Sequence, residues 1–463
     1  MKKNIIVNKL SILFALISLP LFAQPPQEGL YVSKGCDVMI GIENPYRDYY
    51  RYNLHNYGGV NSYGTLKIED AFITFTDLNA TYYTDSDNGK MHDSDVAFTV
   101  SAKIDSPSNL SIQNYGNSMN PYMVFDGCDK FLEYTRISNV SEMLNYMKLD
   151  RYKPKKNSYY FWHYDYKKYF DFDEANEEAH NNLAFYLYQK GYNEEAEALL
   201  YQLIDRFPDR TVAHLNYADV MEKVKQKKDY YENENIDKMH YLTYIAQMLY
   251  DKKESIIPKR LHQTYGDYYP ILKIINARIK QKYVILGEAK GDLNGDKKED
   301  ISFVIELADR YKIKKLNAFS SRYPNANPRI WLVWLKDTNG YTLLGENKNI
   351  LEPDEYTNCD DPFDEIAIKN NNLSLYTHYW CSAGGWGQGS INYQFIYRDN
   401  VLILAGKEEH HDNRATAEGA IISTNYLTKR QKTQNTVDHG SPEGKVEWEK
   451  IDDKTPILFD DAS

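Results

Sequence analysis

The stretch NEEAHNNLAFYLYQKGYNEEAEALLYQLIDRFPD, residues 176–209, decides how the rest of the chain is read. Leu183, Ala184 and Leu187 fall on one face of a 3.6-residue period, and Gly191 interrupts the pattern. Ala196, Leu199, Leu200 and Leu203 resume it, and Pro208 ends it. That spacing predicts two amphipathic helices joined by a tight turn, each burying one stripe.

The segment resembles a tetratricopeptide repeat, a pattern of about 34 residues that puts small side chains where the two helices of a hairpin touch. Leu183 and Ala184 match the Leu-small pair of the first helix, Gly191 the turn, Ala196 the small contact of the second helix and Pro208 the terminator. His180 stands where the pattern has a large aromatic residue, and Leu200 where it has Phe. A second unit follows at residues 211–250, with Tyr217, Ala218 and Met221 in phase, but KVKQKKDYYENENIDK interrupts it and implies an enlarged turn. Two units are too few for a free-standing array, so these helices are expected to pack against flanking β-structure.

Outward from the helices, the signals turn to strand on both sides. Towards the N-terminus, between Gly29 and Arg136, runs such as DAFITFTDL and DVAFTVSAKI are separated by Asp, Asn, Ser and Gly clusters. The carboxylate-rich insert at residues 82–95 reads as a solvated hairpin turn. From Lys282 onwards YVILGE, ISFVIEL, RIWLVWL, GYTLLG, NLSLYTHYW, NYQFIYRD and VLILAG repeat the pattern, and Asp399-Asn400 marks a hairpin turn. The expected fold is therefore α+β: a signal peptide at 1–23, an N-terminal β-domain at 24–140, a tetratricopeptide-like helical middle at 141–281 and a C-terminal antiparallel β-domain at 282–463.

The first residues, MKKNIIVNKLSILFALISLPLFAQ, have a basic head, an apolar run from Leu10 to Phe22 and a small residue at Ala23, the layout of a secretory signal peptide. The run is shorter than the ~20 residues a bilayer requires and is broken by Pro20. The residue immediately after the expected cleavage point is Gln24 and not the Cys of a lipoprotein, and no later stretch is apolar enough to cross a membrane. The mature protein is expected to be exported, periplasmic or extracellular. Losing Lys2, Lys3 and Lys9 takes the formal charge from −11 to −14, which argues against nucleic acid as a partner. Tyrosine is the compositional outlier at 42 residues, a number that suits half-exposed strands or an interface. Of the four cysteines, Cys36 is expected to pair with Cys128 and Cys359 with Cys381, each bond staying inside one domain.

Three stretches invite chemistry. In GDLNGDKKEDI, residues 291–301, Asp292, Asn294 and Asp296 occupy positions one, three and five of an oxygen-ligand loop. Lys298 would lend its carbonyl at seven, and Asp300 stands at nine. The spacing resembles the DxDxDGxxD loop of FG-GAP repeats and, more distantly, the first part of an EF-hand. It departs from both where Lys297 replaces the Gly of the sharp turn. A structural calcium loop and a polar hairpin turn stand level as readings.

The second stretch, WCSAGGWGQGS (380–390), lacks the GK[ST] and the helix of a phosphate loop. A glycine-rich β-turn with a buried Trp is favoured over a loop presenting Trp386 to a ligand. In EEHHDNR (408–414), adjacent His410 and His411 would point to opposite faces of a strand, and neither HExxH nor HxxEH occurs. GxSxG is likewise missing, so no nucleophile is visible.

About 150 residues at the C-terminal end resemble a group of uncharacterised bacterial exported proteins, through the Asp-rich hairpin, NYQFIYRD and NYLTK at residues 425–429. That resemblance carries no activity. The function expected is non-catalytic binding of a protein or peptide in the bacterial envelope, an exported immunity protein being one form. The rival is an extracytoplasmic hydrolase of glycan or peptide.

Overall fold

The computed structural model describes residues 24–46, 49–57, 63–76, 82–84, 91–93, 100–116, 123–155, 158–225, 235–316, 322–451 and 456–462. The expected signal peptide and the interval between the second pair of helices, residues 226–234, lie outside them. The fold is α+β. The chain divides into two compact units, one ending at Phe161 and the other beginning at Trp162.

In the first unit the strands are β1 Gly29–Ser33, β2 Cys36–Tyr46, β3 Tyr49–His55, β4 Tyr63–Glu69, β5 Phe72–Phe75, β6 Tyr82–Thr84, β7 Met91–Asp93, β8 Val100–Ser106, β9 Asn109–Gln113 and β10 Phe131–Ile137. All but β6 and β7 close into an antiparallel barrel in the order β1-β10-β9-β8-β5-β4-β3-β2. Period-two patterning explains the closure: Val100, Ala102 and Ile104 of β8 are buried while their neighbours are not, and Leu132 and Tyr134 of β10 repeat the alternation. Tyr31, Tyr52, Phe75, Phe125 and Tyr134 join one barrel core, so bulky side chains fill the interior. Strands β6 and β7 pair separately, Tyr82 opposite Asp93, at the insert read as a hairpin. The Cys36–Cys128 disulfide ties the start of β2 to the turn before β10, closing 92 residues. Helix α1, Val140–Met147, is capped by Asn139, which accepts from the Glu142 N–H, and it docks through the Tyr146 hydroxyl donating to the Cys36 carbonyl. A short helix α2, Ser158–Tyr160, follows.

The second unit starts with α3 Tyr166–Tyr169, then α4 Glu177–Gln189, α5 Asn193–Arg206, α6 Thr211–Lys225, α7 Ile236–Tyr250, α8 Lys259–Tyr265 and α9 Tyr269–Ile279. Strands β11 Tyr283–Gly291, β12 Asp300–Leu307, β13 Arg329–Lys336 and β14 Tyr341–Asn347 form an antiparallel meander. Strands β15 Phe363–Lys369, β16 Asn372–Tyr379, β17 Gly387–Arg398, β18 Val401–Asn413, β19 Gly419–Asn425, β20 Arg430–Val437 and β21 Ser441–Lys450 form a seven-stranded one.

The four-stranded sheet is the middle layer. Ile301, Phe303 and Ile305 of β12 pack with Leu242, Ile245, Leu272 and Ile275 of α7 and α9. Val304, with Trp331 and Val333 of β13, packs against Leu373, Leu375 and Phe395 of the larger sheet. Burial on both faces is why ISFVIEL and RIWLVWL read as nearly continuous apolar runs. The helical middle thus shares its core with a β-sheet instead of standing alone.

Candidate partner-binding surface

Helices α4 and α5 form the hairpin their spacing implies. Ala184 and Ala196 are fully buried. Gly191 has φ +82° and open space, with no neighbour within 4 Å, where a side chain would begin, so the left-handed backbone and not crowding favours glycine. His180 takes the aromatic position by stacking on Phe172, ring centroids 4.0 Å apart. Its Nε2 donates to the Asp171 carbonyl and its Nδ1 accepts from the Tyr166 hydroxyl, each at 3.0 Å. Burial lowers its pKa to about 4, so the ring is neutral and, with Nε2 donating to the carbonyl, Nδ1 accepts from Tyr166.

Side chains from α4, α6, α7 and α8 meet on this helical region. The Tyr241 hydroxyl of α7 donates towards Asp219 Oδ1 at 2.7 Å and Glu222 Oε2 at 3.0 Å, both on α6. Arg260 of α8 pairs with Asp219, and its guanidinium lies 5.1 Å from the Tyr241 ring centroid. Tyr265 of α8 sits 5.7 Å from Tyr241, ring to ring. Tyr188 of α4 belongs to the same group: burial, then the charges of Asp219 and Glu222, raise its phenol pKa. Tyr265 is raised by burial first and then by Asp237 and Glu222. Phe185, one helical turn before Tyr188 and 6.5 Å from it, is 41% exposed. Glu222 is exposed as well. Tyr241 is buried and Asp219 is answered by Arg260, so what reaches the surface is Phe185, the half-buried Tyr188 and Tyr265, and the Glu222 carboxylate, a chemistry that suits a cationic side chain.

The Asp-rich stretch forms the β11–β12 hairpin turn, with Gly291 opposite Asp300. Asp292 accepts from the N–H groups of Gly295 (2.7 Å) and Lys297 (2.8 Å), Asn294 from that of Asp296, and Asp296 from that of Lys298. Lys297 has φ +66°, so the position expected to need glycine adopts the left-handed turn with a lysine. Two further contacts engage the expected ligands. The Lys298 ammonium lies 3.0 Å from Asp296 Oδ2. Asp300, fully buried, accepts from Leu293 N–H and Lys336 N–H, both at 2.8 Å, which makes it an anchor joining the turn to β13. Burial raises its pKa against those two bonds. Among the described residues, the grouping of three potential metal ligands that does converge is Cys36, Asp37 and Cys128, and its two sulfurs form a disulfide.

The glycine-rich stretch corrects one expectation. Trp386 is 66% exposed, not buried. The loop is nevertheless pinned, because Cys381 is bonded to Cys359 and Arg414 Nη2 donates to the Cys381 carbonyl at 2.6 Å and the Gly385 carbonyl at 2.7 Å. His410 and His411 lie on β18 and diverge as neighbours on a strand must: His411 Nδ1 meets the Tyr379 hydroxyl at 2.9 Å, while His410 Nε2 faces Glu408 at 3.3 Å.

Sequence reasoning missed a buried ion cluster. Arg329, its side chain 1% exposed, bonds Glu306 at 2.9 Å and Asp361 at 2.6 and 2.7 Å. Asn325 donates to the other Glu306 oxygen at 2.5 Å. One guanidinium thus answers two carboxylates: burial, then the Asp361 charge, pushes the Glu306 pKa up against the pull of Arg329, and the arrangement fixes β12, β13 and the segment before β15. No family model, curated protein or solved structure matches this chain.

Proposed function

We propose that this chain is an exported, non-catalytic protein- or peptide-binding protein that engages its partner through the tetratricopeptide-like helices. The observation that carries this reading is the meeting of Tyr188, Tyr241 and Tyr265 with Asp219 and Glu222 on one helical region. A partner side chain bearing an ammonium or guanidinium group finds there the half-buried Tyr188 and Tyr265 rings and the exposed Glu222 carboxylate, Asp219 and the Tyr241 ring being taken by Arg260. The export reading is supported by two disulfides and by the finding that, among the described residues, no helix is long and apolar enough to cross a membrane. Neutralisation of a toxin in the envelope is one form this binding takes in the proposal.

Selection from a displayed random-peptide library tests it. Enriched peptides should carry Lys or Arg beside an apolar residue, and their binding should fail on a Tyr188→Ala, Glu222→Lys variant that retains its melting temperature. Lack of enrichment, or peptides that bind the variant equally, refutes the reading.

A subsidiary proposal concerns the turn at 292–300. Calcium is held by Asp292, Asn294, Asp296 and the Lys298 carbonyl, with Asp300 anchoring the loop instead of closing the ring. It rests on a turn already wound by the bonds to Asp292 and by the left-handed Lys297.

A further inference from the structure

Part of the helical surface is already filled from within, by Arg260 of α8. Asp219 and Glu222 lie three residues apart on α6 and so share a face, where the Tyr241 hydroxyl of α7 reaches both. One guanidinium answers these two carboxylates. Arg260 Nη2 pairs with Asp219, Nη1 donates to the Tyr241 hydroxyl at 3.2 Å, and the group lies 5.1 Å from the Tyr241 ring centroid. Among the described residues Glu222 forms no ion pair; Lys225, one turn further along α6, is held by Asp237 at 2.7 Å.

Carboxylate, hydroxyl and ring face converge here on one planar group. The fork of an arginine meets the carboxylate and the hydroxyl at once, which the point charge of a lysine does not. The element that supplies the arginine is lightly held: α8 is seven residues long, it sends Leu261 into the core, and Tyr265 stands half-buried 5.7 Å from the Tyr241 ring. The Arg260 side chain is 47% exposed, and an ion pair this open to water adds little to stability. Its guanidinium can leave for solvent at small cost.

We infer that this niche is an arginine-recognition site now occupied by the chain's own Arg260, and that an arginine of the partner protein takes its place. The inference rests on the partner-binding reading above and narrows it from any cation to a guanidinium. Exchanging one guanidinium for another keeps Asp219 and the Tyr241 hydroxyl answered throughout, while the released Arg260 turns to water. Arg260 is then an internal competitor. If it fills the niche about nine-tenths of the time, the apparent affinity for the partner is about tenfold below that of the vacant niche. A merely structural ion pair predicts the reverse, because its loss would loosen α8 and the Tyr265 ring and so weaken binding.

Fluorescence polarisation of the peptide fluorescein-Leu-Arg-Leu-amide on the native protein, at constant ionic strength, reads the exchange, with the Lys counterpart for comparison. Arg260→Gln should bind the Arg peptide about tenfold tighter than the wild-type protein does, and should gain less for the Lys peptide. Lys259→Gln removes an equal charge from the exposed neighbouring position of α8 and should bind as the wild type does. Arg260→Lys keeps the charge and should fall between, and it carries the comparison if the glutamine variant does not fold. Equal affinities of the wild type and Arg260→Gln, an equal gain from Lys259→Gln, or an equal gain for the Lys peptide overturns the inference and leaves the partner-binding reading standing. Binding by neither the wild type nor Arg260→Gln refutes both.

Discussion

His180 and His214 are buried as neutral imidazoles, and acid should therefore unfold the helical unit through them. His180 is fully buried, and His214 is 1% exposed. His214 Nε2 donates to the Pro208 carbonyl at 2.8 Å, and its Nδ1 faces Nδ1 of His240 at 3.0 Å. Only one proton fits between those two nitrogens, so protonating both rings sets N–H against N–H. Burial is the largest cause lowering each pKa to about 4, from 6.5 for a free imidazole. Hydrogen bonding to Asp171 and the Asp173 charge act the other way at His180. At His214 the Pro208 carbonyl opposes burial, while Lys282 reinforces it.

The sign follows from proton counting. Between pH 6.5 and about 4 the unfolded chain binds protons that the folded chain refuses, so stability is complete above 6.5 and falls as the pH drops. From pH 7 to pH 5 each imidazole should remove about 2 kcal/mol, and the two together about 4 kcal/mol. Urea unfolding followed by circular dichroism, at half-unit steps from pH 7 to pH 5, measures the slope before most carboxylates titrate. His180→Phe restores the aromatic expected by the repeat pattern but orphans the Tyr166 hydroxyl and the Asp171 carbonyl. It should lower stability at pH 7 by about 1–3 kcal/mol while removing about 1 kcal/mol per pH unit from the slope. A variant with the wild-type slope would refute the neutral, buried assignment of His180.

Calcium should raise the melting temperature only as its concentration approaches ~1 mM, because the Lys298 ammonium competes for Asp296. Asp292→Ala with Asp296→Ala should abolish that shift, and a melting temperature indifferent to millimolar calcium in the wild-type protein sinks the calcium proposal. Reducing or replacing the Cys36–Cys128 disulfide should destabilise the first unit by about 4–5 kcal/mol, the loop-closure value for a ring of this length. Proteolysis of the reduced protein checks it, since barrel strands that resist cleavage as well as before would contradict a stabilising bond.

The sequence on its own settled whatever is written in neighbouring residues. The α4–α5 hairpin follows from a 3.6-residue period, Gly191 and Pro208, and its buried Ala184 and Ala196 are where small side chains recur. The turn between β17 and β18 was legible as Asp399-Asn400, whose φ values of +51° and +66° are those that this residue pair tolerates. Cysteine pairing followed from keeping each bond local to one end of the chain.

Contacts set by register and layer order were not legible. The barrel closes because β1 pairs with β10 across a hundred residues, and no local pattern encodes which distant edge a strand will find. Trp386 looked like a core residue because tryptophan usually is one; only the bonds from Arg414, 28 residues on, hold its loop so that the ring faces solvent. Glu306, Arg329 and Asp361 look like ordinary charges in the sequence; pairing of β12 with β13 buries Glu306 beside Arg329, and the segment before β15 adds the half-exposed Asp361. The tyrosines and carboxylates that meet on the helical region come from four helices. Periodicity fixes which face of an element a residue occupies, whereas only the packing of one element on another fixes what that face meets.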